Sequence, residues 1–200
     1  MLFVDHSTIA PGGASRLHSD LASAGHSFVD APVTGGSTGA ESGKLTIFLG
    51  GDAESVNKAI DAIHPYTKVA CHVGGPGFGQ KMKLANQIAV GGALIGLCEC
   101  LAFAKKAGLD IKQAKEVIGS GAGGSWAFEN YGPKILNEDW SPGFSIKNQR
   151  KDFGYCKSEA ESILAQIPCT EIVDRLLGEM ETRGHGEETT AILYKLLTDG

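Results

Sequence analysis

The sequence has 200 residues, of which 42% are hydrophobic, so it is long enough to bury a core in one or two small globular units. The formal net charge of −5 gives no electrostatic basis for binding nucleic acid, and no run of basic residues predicts a membrane-surface site. The five cysteines have no disulfide-like spacing, which favours a reducing, intracellular compartment.

The first 76 residues alternate between strand-like and helix-like segments. The strand-like segments are short apolar runs bounded by glycine or polar residues, and the helix-like segments carry apolar residues at helical spacing. The predicted strands are 2–4, 27–29, 45–49 and 68–73, and the predicted helices are 14–24 and 52–63. Short strands that alternate with helices predict an α/β layer.

From Gly77 onward the pattern is helical. The predicted helices are 77–107, 111–118, 126–136, 144–166, 169–183 and 189–197. We therefore predict an α/β domain over residues 1–76, followed by an all-helical domain over residues 77–200.

One segment, Leu84–Cys98, raises the question of a membrane span. It contains Asn86, Gln87 and three glycines, and Glu99 ends it short of the roughly 20 apolar residues that a helix needs to cross a bilayer. A helix that is apolar on all sides is more simply buried between domains or subunits. We therefore expect a soluble protein of the cytoplasm, with the mitochondrial matrix as the alternative compartment.

A glycine-rich turn, 74–79, opens the long predicted helix. On that helix Lys83, Asn86 and Gln87 stand at i, i+3 and i+4, so their side chains share one face. A lysine on a mostly buried face is costly unless it is used or paired, which makes Lys83 a candidate for chemistry. The alternative is a surface lysine of which only the apolar stem is buried. Lys81 lies roughly 160° away around the helix and lacks the amide neighbours.

Two segments after predicted strands offer hydrogen-bond donors. Ser7 and Thr8 follow the first strand, where ligands bind in open α/β sheets, but helix capping is an equally good interpretation. Thr34-Gly35-Gly36 can present backbone N–H groups and a hydroxyl to an anion, or can form only a flexible turn.

The remaining patterns indicate no further site. The glycines at 75, 77 and 79 and those at 119–124 lack the spacing of a dinucleotide fingerprint. The six histidines show no metal-ligand spacing with the cysteines, so we expect no metal site. The cluster of Lys147, Arg150 and Lys151 is typical of a solvated helix face.

Four segments, in this order, resemble the β-hydroxyacid dehydrogenases, the family of 3-hydroxyisobutyrate dehydrogenase, tartronate semialdehyde reductase and glyoxylate reductase-like enzymes. They are Val4–Pro11, Asp30–Gly36, Gly77–Gln87 and Pro142–Asp152. The resemblance spans nearly the whole chain. It implies the C-terminal part of a Rossmann-type NAD(P)-binding domain over residues 1–76. A helical domain like that of 6-phosphogluconate dehydrogenase would follow, with a long interdomain helix at its start.

The resemblance also implies an NAD(P)-dependent oxidoreductase that interconverts a small 3-hydroxy acid and its semialdehyde, with Lys83 as the catalytic acid and base. The implied substrate-binding residues are Thr34, Gly35, Gly36, Asn86 and Gln87. The implied cofactor-binding residues are Thr8, Phe144, Lys151 and Asp152. Thr34 stands where the family usually has serine and Gln87 where it often has asparagine, which puts the choice of substrate in question.

The glycine-rich fingerprint of the family does not occur in these 200 residues. We therefore expect the pyrophosphate site of the cofactor to lie outside this sequence, and the chain by itself to bind NAD or NADP weakly. The alternative is a shortened, catalytically inactive relative that acts as a dimerisation or interaction module. We expect a homodimer or homotetramer, with neither nucleic acid nor a membrane as a partner.

Overall fold

The computed structural model describes residues 1–199 and contains two compact units. Unit 1 comprises Met1–Asn86 with Gly154–Ala165, and unit 2 comprises Gln87–Phe153 with the residues from Gln166 onward. Two long helices therefore contribute residues to both units. The division between residues 76 and 77 remains our prediction for the domain organisation. The boundary between the two compact units lies ten residues further along the chain, between Asn86 and Gln87, inside a helix.

Unit 1 contains a five-stranded mixed sheet. Its strands are β1 (Leu2–Asp5), β2 (Ser27–Asp30), β3 (Val33–Thr34), β4 (Leu45–Gly50) and β5 (Thr67–Gly74). They lie in the order β1-β2-β4-β3, and β5 also pairs with β4. The β1–β2 and β4–β5 pairs are parallel, whereas β4 runs antiparallel to β2 and to β3. The four predicted strands are confirmed to within one residue at each end; the two-residue β3 was not predicted.

Three helices accompany the sheet in unit 1. They are α1 (Pro11–Ser23), α2 (Gly36–Glu41) and α3 (Ala53–Ile63). Helix α1 begins three residues before the predicted start, because the fixed φ of Pro11 suits a first helical turn. Helix α2 was not predicted, since its sequence has no apolar periodicity. The buried core between α3 and the strands consists of Val29, Ala31, Leu45, Ile47, Leu49, Val56, Ala59 and Ile63.

The rest of the chain is helical, as predicted. Its helices are α4 (Phe78–Lys106), α5 (Ile111–Gly119), α6 (Trp126–Asn130), α7 (Gly132–Leu136), α8 (Ile146–Ser162), α9 (Pro168–Met180) and α10 (Leu193–Thr198). The prediction of one helix over residues 126–136 is wrong. The helix breaks at Tyr131, because Pro133 has no backbone N–H and favours the start of a new helix. Helix α8 is shorter than predicted. Helix α9 is followed directly by a π-helical segment, Glu181–His185, and a 3₁₀ turn, Thr190–Ile192, precedes α10.

The core of unit 2 forms along α4. Leu94, Leu97 and Leu101 are fully buried on this helix. Gly91 makes room for the buried Phe153 of α8, since a Cβ atom at Gly91 would lie 2.6 Å from Phe153 Cζ. By length and composition alone, α4 could cross a membrane. The core helices of soluble proteins have the same property, and 44% of the most apolar stretch of α4 is buried in this structure.

Candidate active site

The two lysines near the start of α4 have different surroundings. Lys83 is buried, with 7% of its surface exposed. Lys81 is exposed, and its Nζ lies 3.5 Å from the Glu159 carboxylate and 5.1 Å from the centre of the Phe78 ring. The interpretation of Lys83 as a surface lysine is therefore wrong, whereas Lys81 has the contacts of an ordinary surface cation.

The amides predicted beside Lys83 also lie on α4. Asn86 is half-buried, and Gln87, one helical turn after Lys83, is only 2% exposed. An ammonium group and two amides on one turn of an apolar helix can exchange a proton and form hydrogen bonds with a small polar molecule.

In unit 2, Gln87 is held by an acidic residue that was predicted to bind the cofactor. Its Nε2 donates a hydrogen bond of 2.8 Å to Oδ2 of Asp152, which is 2% exposed. The other carboxylate oxygen of Asp152 lies 3.3 Å from Nζ of Lys151, a half-exposed lysine on α8. The structure therefore joins three of the predicted site residues in one polar group.

The other two residues of the predicted basic cluster, Lys147 and Arg150, have separate partners. Lys147 is exposed and pairs with Glu187 at 3.0 Å, as expected of a solvated helix face. Arg150 instead donates to Asp174 at 3.1 Å and also contacts Glu181, so it links α8 to α9 and the turn after it. Phe144 precedes α8 and is half-buried, and its carbonyl accepts a hydrogen bond from a backbone N–H at 3.2 Å.

The segment Thr34-Gly35-Gly36 joins β3 to α2 in unit 1. Thr34 is half-buried and pairs with Thr46 of β4. The φ angles of Gly35 and Gly36 are +130° and +65°, which residues with a side chain rarely adopt. The chain can therefore turn sharply from the strand into the helix. Gly36 is exposed, whereas Gly35 lies beside the Leu45 side chain, since a Cβ atom at Gly35 would be 3.4 Å from Leu45 Cδ2.

A buried carboxyl group caps the start of α4. Asp30, the last residue of β2, is fully buried. Its Oδ1 accepts a hydrogen bond of 2.8 Å from the N–H of Gly77, and its Oδ2 accepts one of 2.9 Å from the N–H of Gln80. Burial raises the pKa of Asp30, while the backbone hydrogen bonds act in the opposite direction.

The side chain of Gln80 links the start of α4 to the loop after β1. It is fully buried; its Oε1 accepts from the N–H of Ile9 at 3.1 Å, and its Nε2 donates to the carbonyl of Ser7 at 2.8 Å. These two backbone groups lie on either side of Thr8, which is half-buried. The capping interpretation of Ser7 and Thr8 is wrong, since the capping residue of α1 is Ala10 and no side chain caps this helix.

The predicted site residues thus fall into three groups. Gln87, Asp152 and Lys151 are joined in unit 2, whereas Thr8 is tied to the helical turn that precedes Lys83 in unit 1. Thr34-Gly35-Gly36 lies at the end of a different strand of unit 1. Within residues 1–199, no group of three His, Cys, Asp or Glu side chains could hold a metal ion.

Sequence reasoning missed the roles of Asp30 and Gln80. Asp30 was part of a recognised segment, but its partners lie 47 and 50 residues further along the chain. Gln80 precedes Lys83 by three residues, and its position beside a glycine-rich turn was the only local signal.

Two family models together match almost the whole chain. The model of the NAD-binding domain of 6-phosphogluconate dehydrogenase matches residues 1–75. The model described as NAD-binding of NADP-dependent 3-hydroxyisobutyrate dehydrogenase matches residues 77–197, which is more than half of the chain. The chain belongs to the 3-hydroxyisobutyrate dehydrogenase-like family. The predicted family and fold class are confirmed.

Members of this family resemble the chain over almost all of its length. A probable 3-hydroxyisobutyrate dehydrogenase-like 1, mitochondrial, from Arabidopsis thaliana is 36% identical over 98% of this chain. The chain spans 58% of that relative. The solved structure of Mycobacterium tuberculosis 3-hydroxyisobutyrate dehydrogenase with L-serine is 28% identical, with a TM-score of 0.88. The match covers 98% of this chain and 69% of the chain in that structure.

A second solved structure of the same fold, Psf3 in complex with NADP+ and 2-OPP, is 25% identical with a TM-score of 0.90. The match again covers 98% of this chain and 69% of the other. About three tenths of each of these two chains has no counterpart in these 200 residues.

Proposed function

We propose that the protein which contains this sequence is an NAD(P)-dependent 3-hydroxy acid dehydrogenase, and that Lys83 is its catalytic acid and base. The observation that carries the proposal is the burial of Lys83 on α4, one turn before a buried glutamine. The family membership supports the reaction class, and similarity to dehydrogenases along the whole chain does not favour the alternative of an inactive dimerisation module.

The described residues provide donor groups that fit part of a dinucleotide. Thr8 offers a hydroxyl, Lys151 a half-exposed ammonium and Asp152 a carboxylate, and Phe144 offers an aromatic ring. Such groups suit the ribose, phosphate and nicotinamide parts of NAD(P). We propose that these four residues hold the cofactor, which when bound supplies or accepts the hydride.

The protein would provide the proton and the orientation of the substrate. In the oxidation direction the neutral amine of Lys83 takes the hydroxyl proton of the substrate, while the substrate carbon that bears this hydroxyl gives its hydride to the cofactor. In the reduction direction the ammonium of Lys83 returns a proton to the carbonyl oxygen. Burial of Lys83 keeps bulk water from competing for this proton.

The substrate carboxylate would bind at Thr34-Gly35-Gly36, with Asn86 and Gln87 as further hydrogen-bonding groups. The sharp turn with an exposed Gly36 and an adjacent threonine hydroxyl suits an anion. The hydrogen bond from Nε2 of Gln87 to Asp152 fixes the orientation of the Gln87 amide.

We further propose a homodimer or homotetramer that acts on small molecules and has neither nucleic acid nor a membrane as a partner. Five free cysteines are consistent with a reducing compartment, and we propose the cytoplasm. The alternative that we propose is the mitochondrial matrix, since the name of the Arabidopsis relative includes the word mitochondrial. We propose the two domains predicted from the sequence, residues 1–76 and 77–200; the change from one family model to the other between residues 75 and 77 supports this division.

Turnover by the product of the whole reading frame tests the function. We expect reduction of NAD+ or NADP+ in the presence of 3-hydroxyisobutyrate, L-serine or another small 3-hydroxy acid, with one semialdehyde formed for each reduced cofactor. A 2-hydroxy acid such as lactate is the matched control and should not react. Absence of turnover with all 3-hydroxy acids and their semialdehydes, with either cofactor, would contradict the proposal.

Cofactor binding by the 200-residue chain gives a second prediction. Since these residues contain no dinucleotide fingerprint, we expect fluorescence titration with NADH or NADPH to show no saturation at micromolar concentration. The product of the whole reading frame should saturate under the same conditions. Equal affinity of both proteins would show that residues 1–200 contain the principal cofactor site.

A further inference from the structure

The N-terminal end of α4 is fixed to the sheet of unit 1 by a carboxyl group. Both oxygens of Asp30 accept backbone N–H groups of the turn that opens the helix, at 2.8 Å from Gly77 and 2.9 Å from Gln80. Because Asp30 is the last residue of β2 and is fully buried, these bonds join the helix start to a strand in the core. Hydrogen bonds of a carboxylate to N–H groups at a helix start are among the stronger ones in proteins.

Close packing leaves this helix start little freedom to shift. A Cβ atom at Gly79 would lie 2.6 Å from the carbonyl oxygen of Phe48 and 2.7 Å from that of Asp30. A Cβ atom at Gly50 would lie 2.6 Å from Oδ1 of Asp30 and from the N atom of Gly79. The backbone of α4 therefore rests directly on the ends of β2 and β4, with no room for a methyl group between them.

Gln80 connects the same turn to the segment that carries Thr8. Its backbone N–H is bound by Asp30, while its side-chain amide binds the residues before and after Thr8 through their backbone groups. An amide is needed for this bridge, because one end must accept a hydrogen bond and the other must donate one. Lys83 follows Gln80 by three residues on the same helix.

We infer that Asp30 and Gln80 are positioning residues of the reaction: Asp30 fixes the register of α4 and so the place of Lys83, and Gln80 fixes the place of Thr8. The inference rests on the proposed function, since it assigns these two residues to the same active site. A displacement of about 1 Å of a reacting group can lower a rate about 10²-fold, so positioning at this turn has a measurable effect on catalysis.

The Gln80→Glu variant tests the bridge through its dependence on pH. A neutral carboxyl can accept from Ile9 N–H and donate to the Ser7 carbonyl as the amide does, whereas a carboxylate cannot donate. Burial and the neighbouring carboxyl of Asp30 raise the pKa of a carboxyl introduced here, whereas the ammonium of Lys83, three residues further along α4, lowers it. We expect the ratio of variant to wild-type kcat/KM to fall by about 10- to 100-fold as the pH rises. Gln113→Glu, at an exposed position of α5, should show a constant ratio.

The two positioning roles predict different kinetic defects. Gln80→Ala should raise KM for NAD(P) more than KM for the hydroxy acid, because it releases the Thr8 segment. Asp30→Asn should lower kcat at saturating substrates, because one of the two acceptors is replaced by an N–H donor. Circular dichroism and thermal unfolding show whether each variant folds; if Asp30→Asn does not fold, the pH profile of Gln80→Glu decides the inference.

Hydrogen exchange provides a measurement that does not need the reaction. In Gln80→Ala we expect faster amide exchange in residues 6–10, and in Asp30→Asn in residues 77–83, compared with wild type. An inactive wild-type protein would refute the proposed function. Hydrogen exchange would still show whether Asp30 and Gln80 fix the start of α4 and the segment around Thr8. Unchanged exchange in these segments, or the same pH profile for Gln80→Glu and wild type, would overturn the inference.

Discussion

Replacement of Lys83 by alanine is expected to lower the turnover of 3-hydroxy acids by about 10²- to 10⁴-fold, the usual contribution of a general acid–base group. The reason is that the substrate hydroxyl would lose the group proposed to accept its proton, while the proposed binding residues, Thr34-Gly35-Gly36 and Gln87, would be unchanged. The measurement is steady-state kcat and KM for the product of the whole reading frame, in both directions. We expect kcat to fall much more than KM rises.

Two further variants separate proton transfer from charge. Lys83→Arg keeps the positive charge but cannot lose its proton at neutral pH, so we expect it to be as inactive as alanine. Lys81→Ala is the matched control, since Lys81 is exposed and its Nζ contacts the Glu159 carboxylate and the Phe78 ring; the kcat of this variant should remain near wild type. A wild-type rate in either Lys83 variant would remove Lys83 from the mechanism.

Replacement of Gly79 by alanine is expected to lower the free energy of unfolding by about 1–3 kcal/mol or more. The added methyl group would lie 2.6 Å from the Phe48 carbonyl oxygen and 2.7 Å from a carboxylate oxygen of Asp30. Neither neighbour is a flexible apolar side chain that could move away, so the helix start itself must shift. Urea unfolding measures the loss, and kcat should fall as well, because Lys83 lies on the same helix.

The control for Gly79→Ala is Gly96→Ala on the same helix. A Cβ atom at Gly96 has no heavy atom within 4 Å apart from the helix itself and its chain neighbours. Alanine has a higher helix propensity than glycine by about 1 kcal/mol, so this variant should be slightly more stable than wild type. Equal stability of Gly79→Ala and wild type would show that the start of α4 can move away from the sheet.

The sequence was most informative where structure depends on local spacing. Helical periodicity predicted that Lys83 and Lys81 lie on different faces of the helix. In the structure Lys83 is buried and Lys81 is exposed. The strands were predicted well because each is a compact apolar run between glycines or polar residues. The break at Tyr131 was missed because the apolar pattern continues across Pro133, although proline without an N–H starts a new helix.

Long-range polar contacts could not be predicted in the same way. Nothing near Asp30 indicates that its carboxyl caps a helix that begins 48 residues later. Nothing near Gln87 indicates the hydrogen bond to Asp152, which is 65 residues away. Such pairs depend on how the elements pack, and a single sequence contains periodicity but no record of which distant groups meet.

The cap on α4 also has an electrostatic consequence. A helix N-terminus has partial positive charge and commonly binds anions, most often behind a glycine-rich turn. Here the protein's own carboxyl, Asp30, occupies that position, and the glycines make room for it and for the strand ends. A substrate carboxylate or a cofactor phosphate therefore gains little from this helix start and needs its counter-charge elsewhere. The glycine-rich turn at the start of α4 thus binds a carboxyl group of the protein itself.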